Sequence, residues 1–103
     1  MSAFSNPFQG KVQDIIDDKE LAQAIRLNIA GELEAIYIYD AHIRATNNKQ
    51  AKKILSSIRD EEKIHVSELY ALLKQLDPDE EIYYDKGIQE VNELILSNKK
   101  DLN

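Results

Sequence analysis

Glu62, Lys63, Ile64 and His65 place a carboxylate and an imidazole three residues apart. On an α-helix those two positions share a face, so both side chains can reach one cation. Upstream, Glu32 stands between Ile29 and Ile36 in an otherwise apolar ladder. Carboxylates are almost never fully buried unless they are paired or bound to metal. Oxygen donors with one imidazole per ion suit iron or manganese. The chain has no Cys, which excludes a disulfide scaffold, a thiolate zinc site, an iron–sulfur cluster and a cysteine nucleophile.

Two long helices must position these residues. Asp17 followed by Glu20 reads as a capping box. From there Ala22, Ile25, Ile29, Ile36 and Ile43 form a ladder that passes through positions 32 and 39. This predicts a first helix over 17–45, ended by the turn formers Thr46, Asn47 and Asn48. Ala51, Leu55, Ile58, Leu69, Leu72 and Leu76 repeat the pattern through positions 62 and 65, predicting a second helix over 49–77 that stops before Pro78. The connection is short, so the two form an antiparallel hairpin. With its turn near Asn47, Glu32 and Glu62 fall at the same height. Residues 1–16 read as an N-terminal arm. Ile88, Val91, Leu94 and Ile95 indicate a short third helix over 86–97, its start weakened by Gly87.

The expected fold is all-α, a single half-bundle domain. A hairpin cannot cover its own seam, and Leu21, Leu33, Tyr37, Ile54, Ile64, Val66, Tyr70 and Leu73 add further apolar surface. Burial therefore asks for an oligomer, most simply two hairpins in a four-helix bundle. Ferritin-like di-iron bundles use two lone Glu and two Glu-x-x-His pairs. One chain supplies half of that set, and a symmetric dimer supplies all of it. Two irons bridged by carboxylates can each give an electron to dioxygen, with Glu62 the bridging acid.

Composition agrees with a small helical domain: 103 residues, 43% hydrophobic and 31% charged. No segment is apolar enough to span a bilayer. Met1 to Gly10 lacks the features of a signal peptide, so a cytoplasmic location is expected. The net charge of -6 and the lack of a basic face argue against a nucleic-acid partner.

Several residues carry two readings. The seam acids are either metal ligands or a buried polar network that fixes register. Tyr39 is a hydrogen-bond donor or redox neighbour to the site, or an ordinary core tyrosine. Glu34, Glu61 and Glu68 are surface charge or an entry path for cations. His42 lies beside the seam and is read as a solvated or interface histidine. Lys49, Lys52 and Lys53 form a solvated face.

Gly31-Glu32-Leu33-Glu34-Ala35, running on to Tyr39-Asp40, together with Arg59-Asp60-Glu61-Glu62-Lys63-Ile64-His65, resembles the encapsulated ferritins over roughly positions 20 to 78. The resemblance implies a two-helix hairpin with a short third helix. It implies dimers whose interface forms a di-iron ferroxidase centre, a decameric ring, and an encapsulin shell as partner and compartment. Carried over by residue, it implies that Glu32, Glu62 and His65 bind iron, that Tyr39 lies near the site, and that Glu34 matches a peripheral metal position. The chain departs from the family at Gly31, often an acid there, and at Ile38, often a large aromatic. Both bear on the peripheral site. Ser97 to Asn103 carries no Leu-Gly-Ser-Leu-like docking motif of the kind found in separate cargo members. That leaves three readings: a longer natural chain, fusion to a shell, or no encapsulation. The expected activity is oxidation of Fe(II) to Fe(III) for iron storage or detoxification. The alternatives are a non-catalytic helical assembly or partner-binding module, and a di-iron peroxidase of the rubrerythrin kind. The chain lacks the Cys-rich rubredoxin part that such peroxidases often carry.

Overall fold

The computed structural model of the chain describes residues 15–101, and these described residues form three helices. Helix α1 runs Asp18–Ala45 and α2 runs Lys49–Leu76, 28 residues each, or about 42 Å. Asp17 caps α1: its carboxylate accepts the Glu20 backbone N–H at 2.8 Å. Asp18 and Glu20 in the first turn suit the positive end of the helix dipole, as His42 and Arg44 suit the negative end. Asn48 caps α2 by accepting from the Ala51 backbone N–H at 2.9 Å. The three residues between the helices fold the chain back, and α1 packs along α2 as an antiparallel hairpin.

The hairpin's buried core lies at the end away from the turn. Ala22, Ile25 and Ile29 on α1 meet Leu73 on α2, with Leu21, Val66, Leu69, Tyr70 and Leu76 around them. Towards the turn the seam is only half covered, and Ile54, Ile58, Leu33 and Tyr37 are exposed. The expectation that one hairpin leaves apolar surface uncovered matches this distribution.

Helix α3 runs Asp79–Asp101 over 23 residues. It begins seven residues before the expected start at 86 and extends beyond 97. The acidic run after Pro78 is its first turn: Asp79, Glu80 and Glu81 are favourable at a helix N-terminus, and proline is well tolerated at a helix start. Gly87 stays helical, since one glycine disfavours a helix by only about 1 kcal/mol. The base of α3 is tied down by Arg26, whose guanidinium donates to Asp77 and Glu80 at 2.9 Å each. These two acids hold the Arg26 pKa above its ordinary value, Glu80 having the larger effect. Tyr84 then meets Tyr70 with ring centroids 6.0 Å apart, under the ammonium of Lys74. Beyond that turn α3 leaves the hairpin, and Ile88, Val91, Leu94 and Ile95 are exposed. Of the expected N-terminal arm, residues 1–14 lie outside the described residues. No described helix is long and apolar enough to cross a membrane.

Candidate metal centre

Glu32 projects from the middle of α1, and Glu62 and His65 from the middle of α2. The structure brings the three together: one donor atom from each lies within 4.8 Å of the others. His65 Nδ1 is 3.8 Å from a Glu32 oxygen and 3.7 Å from a Glu62 oxygen. Both separations exceed hydrogen-bonding distance. They match two donors on a common ion instead, since bonds of roughly 2.0–2.2 Å allow donors up to about 4.4 Å apart. The widest spacing in the trio needs a closure of only a few tenths of an ångström. The donor types and their spacing therefore fit a cation of the iron or manganese kind.

Exposure tells which way the trio faces. Glu62 keeps 18% of its side chain exposed, Glu32 29% and His65 46%. The group opens on the edge of the hairpin that carries His65. Ile58 and Leu72 lie seven residues either side of His65, on the same line of α2. They are 38% and 37% exposed, and Ile54, one turn before Ile58, is exposed as well. A half-open ligand group is thus set in an apolar strip.

The opposite edge carries an ion pair between the helices. Arg59 donates to Asp40 at 2.7 Å, joining α2 to α1, and to Asp60 at 3.2 Å. The Arg59 hydrogen bond holds the Asp40 carboxyl below its ordinary range. Asp40, and then Asp60, raise the Arg59 pKa.

The other residues singled out in the sequence fall outside the trio. Tyr39 is half-buried on α1, seven residues or about 10 Å along the helix from Glu32. Glu34 is two residues from Glu32, which turns it to the far side of α1. His42, Glu61 and Glu68 are exposed. Sequence reasoning missed the Arg59–Asp40 and Arg26–Asp77–Glu80 pairs. Opposite charges on facing helices were the available signal, but reading it needs the register.

Comparison with known proteins shows the family of the chain. Residues 19–93 match the model of the family described as Ubiquinone biosynthesis protein COQ7. The encapsulin nanocompartment cargo protein EncC of Myxococcus xanthus is 42% identical over 85 residues, 82% of this chain and 65% of that protein. The ferritin-like-encapsulin shell fusion protein of Pyrococcus furiosus is 39% identical over 89 residues, 81% of this chain and 26% of that protein. The crystal structure of the encapsulated ferritin domain from Pyrococcus furiosus superposes with a TM-score of 0.78 at 37% identity, covering 87% of this chain and 92% of that one. The chain belongs to the COQ7 family of that model and to the encapsulated ferritins. It is an all-α member whose hairpin and third helix are those of a ferritin-like domain, and it spans less than two thirds of either curated relative.

Proposed function

We propose that this chain oxidises Fe(II) to Fe(III) at a paired-iron centre that two copies complete across a shared interface. The gathering of Glu32, Glu62 and His65 on the open, apolar edge of the hairpin carries this reading. Three ligands leave an ion of this class short of its usual coordination. A second copy placed by two-fold symmetry on the strip around His65 would cover Ile58 and Leu72 and bring the remaining ligands. The union holds four carboxylates and two imidazoles, the set used by ferritin-like di-iron proteins.

In this centre iron is the substrate. Glu32 and His65 would share one ion, and Glu62, which shares a helix with His65, is the residue we assign as the acid common to both ions. Two Fe(II) each lose one electron. Dioxygen takes both electrons and two protons to become hydrogen peroxide, or peroxide takes them and becomes water. The carboxylates favour the ferric state because their charge stabilises the higher cation charge. Tyr39 lies near enough along α1 to tune this site, and Glu34, on the outer side, marks a route or peripheral stop for incoming cations. The names of the relatives support an encapsulin compartment as the setting in which the iron product is kept, and the assembly we propose beyond the dimer is a ring, up to a decamer.

The test is aerobic addition of Fe(II) to the assembled protein, following the ferric absorbance in the near-ultraviolet and correcting for autoxidation. Oxidation well above the protein-free rate, lost in Glu62→Ala, is expected. An assembled Glu62→Ala protein that oxidises Fe(II) at the parent rate rules out this centre and leaves the seam acids as a register device. Turnover of hydrogen peroxide without net Fe(II) oxidation would identify a peroxidase instead.

A further inference from the structure

Arg59 stands three residues before Glu62 on α2, so the two side chains are neighbours on the helix surface. A guanidinium is a strong, bidentate partner for a carboxylate. Left to itself, Arg59 would compete with any cation for the Glu62 oxygens. The structure directs it elsewhere. Its Nη1 donates to Asp40 Oδ1 at 2.7 Å across the hairpin. Its Nε and Nη2 both donate to Asp60 Oδ1 at 3.2 Å. Each of its three nitrogens is thus engaged, and none of these bonds goes to Glu62.

We propose that Asp40 is a positioning residue of the metal centre, which keeps Arg59 off Glu62 and so leaves that carboxylate free for its cation. The contact to Asp40 is much the shorter of the two restraints and the one that comes from the other helix. Asp60 is adjacent in sequence and more exposed, 63% against 40% for Asp40, so it is the weaker hold. The arrangement solves a conflict specific to this site. A cluster of acids gains from nearby positive charge when it is empty, but a guanidinium seated on one ligand would block loading. Holding that charge on the opposite edge supplies the field without the blockage. This inference rests on the metal-site reading of Glu62.

The experiment is titration of the full chain with Co(II), a redox-stable probe, read by calorimetry and visible absorbance. Its variants are Asp40→Asn, Arg59→Gln and the two together. Asp40→Asn is expected to weaken Co(II) binding about tenfold, the low end for partners just outside a metal's ligands. Arg59→Gln is expected to bind at least as tightly as the parent. The double variant is expected to recover the parent affinity, because the competitor has gone with its keeper. A brace that merely joins the helices predicts the reverse, with the double variant as weak as Asp40→Asn. That result overturns the proposal, as does an unchanged affinity in Asp40→Asn. If Asp40→Asn fails to fold, Arg59→Gln decides alone: affinity at or above the parent supports the proposal and a loss overturns it. Failure of the underlying site looks different. A parent that binds no Co(II), or a Glu62→Ala variant that binds it as well as the parent, removes the metal centre and this proposal with it.

Discussion

His65 Nδ1 stands 3.8 Å from a carboxylate oxygen of Glu32 on the facing helix. That distance is too long for a hydrogen bond and suited to an ion held between them. Three side chains from two helices meet at this point, and none can be replaced by a neighbour without turning the helix.

Glu32, Glu62 and His65 are expected to behave as one unit. Each of Glu32→Ala, Glu62→Ala and His65→Ala should remove most of the Fe(II) oxidation rate, Glu62→Ala most of all. Residues of one catalytic unit are strongly non-additive, so the triple variant should be little slower than the worst single one. Tyr39→Phe should retain metal binding and change the rate modestly. Glu34→Ala should shift the iron concentration dependence more than the maximal rate. His42→Ala and Glu68→Ala, both at exposed positions, should be near neutral. Initial rates alongside metal content per dimer check all of these.

The apolar strip around His65 gives a separate test. Ile58→Glu places a charge two turns from His65 on the half-exposed line that a second copy would cover. Burying an unpaired charge is strongly unfavourable. The variant should keep its helix content by circular dichroism, run as a monomer in light scattering at micromolar concentration, and lose Fe(II) oxidation with all three ligands intact. In the parent, added metal should favour the dimer by mass action, because the ion binds the paired form. A parent that stays monomeric with metal present would sink the shared centre.

Much of this site was legible because a charged residue in a 3-4 ladder is a local signal. Glu32, Glu62 and His65 interrupt apolar periods that can be read along one helix at a time. The hairpin followed from the turn formers at Thr46 to Asn48. What could not be read was the Asp40–Arg59 pair. A mirror about Asn47 pairs Asp40 with Ile54. The observed pairing of Asp40 with Arg59 is centred between Lys49 and Gln50 instead. The long Arg59 side chain reaches along the seam to Asp40, so the ion pair joins residues that are not level while Glu32 and Glu62 still meet. The start of α3 was obscured for another reason. Pro78 and three acids in a row look like a linker, yet they are also the residues that favour a helix N-terminus.

Neutralising one seam acid should stabilise the metal-free protein. Glu32 and Glu62 face each other as like charges in a partly covered seam, and a dimer doubles their number. Glu62→Gln removes one of them per chain and keeps the shape. Relief of about 1 kcal/mol would raise the melting midpoint by about 4–8 °C for a domain of this size. The same change should abolish the stabilisation that Fe(II) or Co(II) gives the parent. Melting curves at pH 8, with metal and with a chelator, provide the comparison. A metal-free Glu62→Gln protein that melts well below the parent would favour the register-setting network.

The Asp40–Arg59 pair predicts an acid-dependent contribution to folding whose sign follows from Asp40. Its folded pKa is depressed, chiefly by the hydrogen bond from Arg59. The unfolded chain therefore takes up the Asp40 proton first as pH falls from neutrality. Stability from this group is fully present above the ordinary aspartate value near 3.9, and is lost as pH drops through the lower folded value. Asp40→Asn cannot show that loss. The parent should unfold at higher urea than Asp40→Asn at pH 7, and the two midpoints should converge progressively below about pH 4. Both side chains are partly exposed, so the gap at pH 7 should be modest and should shrink with added salt. Urea unfolding followed by circular dichroism at several pH values, with a chelator present so that metal binding does not contribute, measures it. A gap that stays constant into acid would mean that Asp40 acts through packing rather than through its charge.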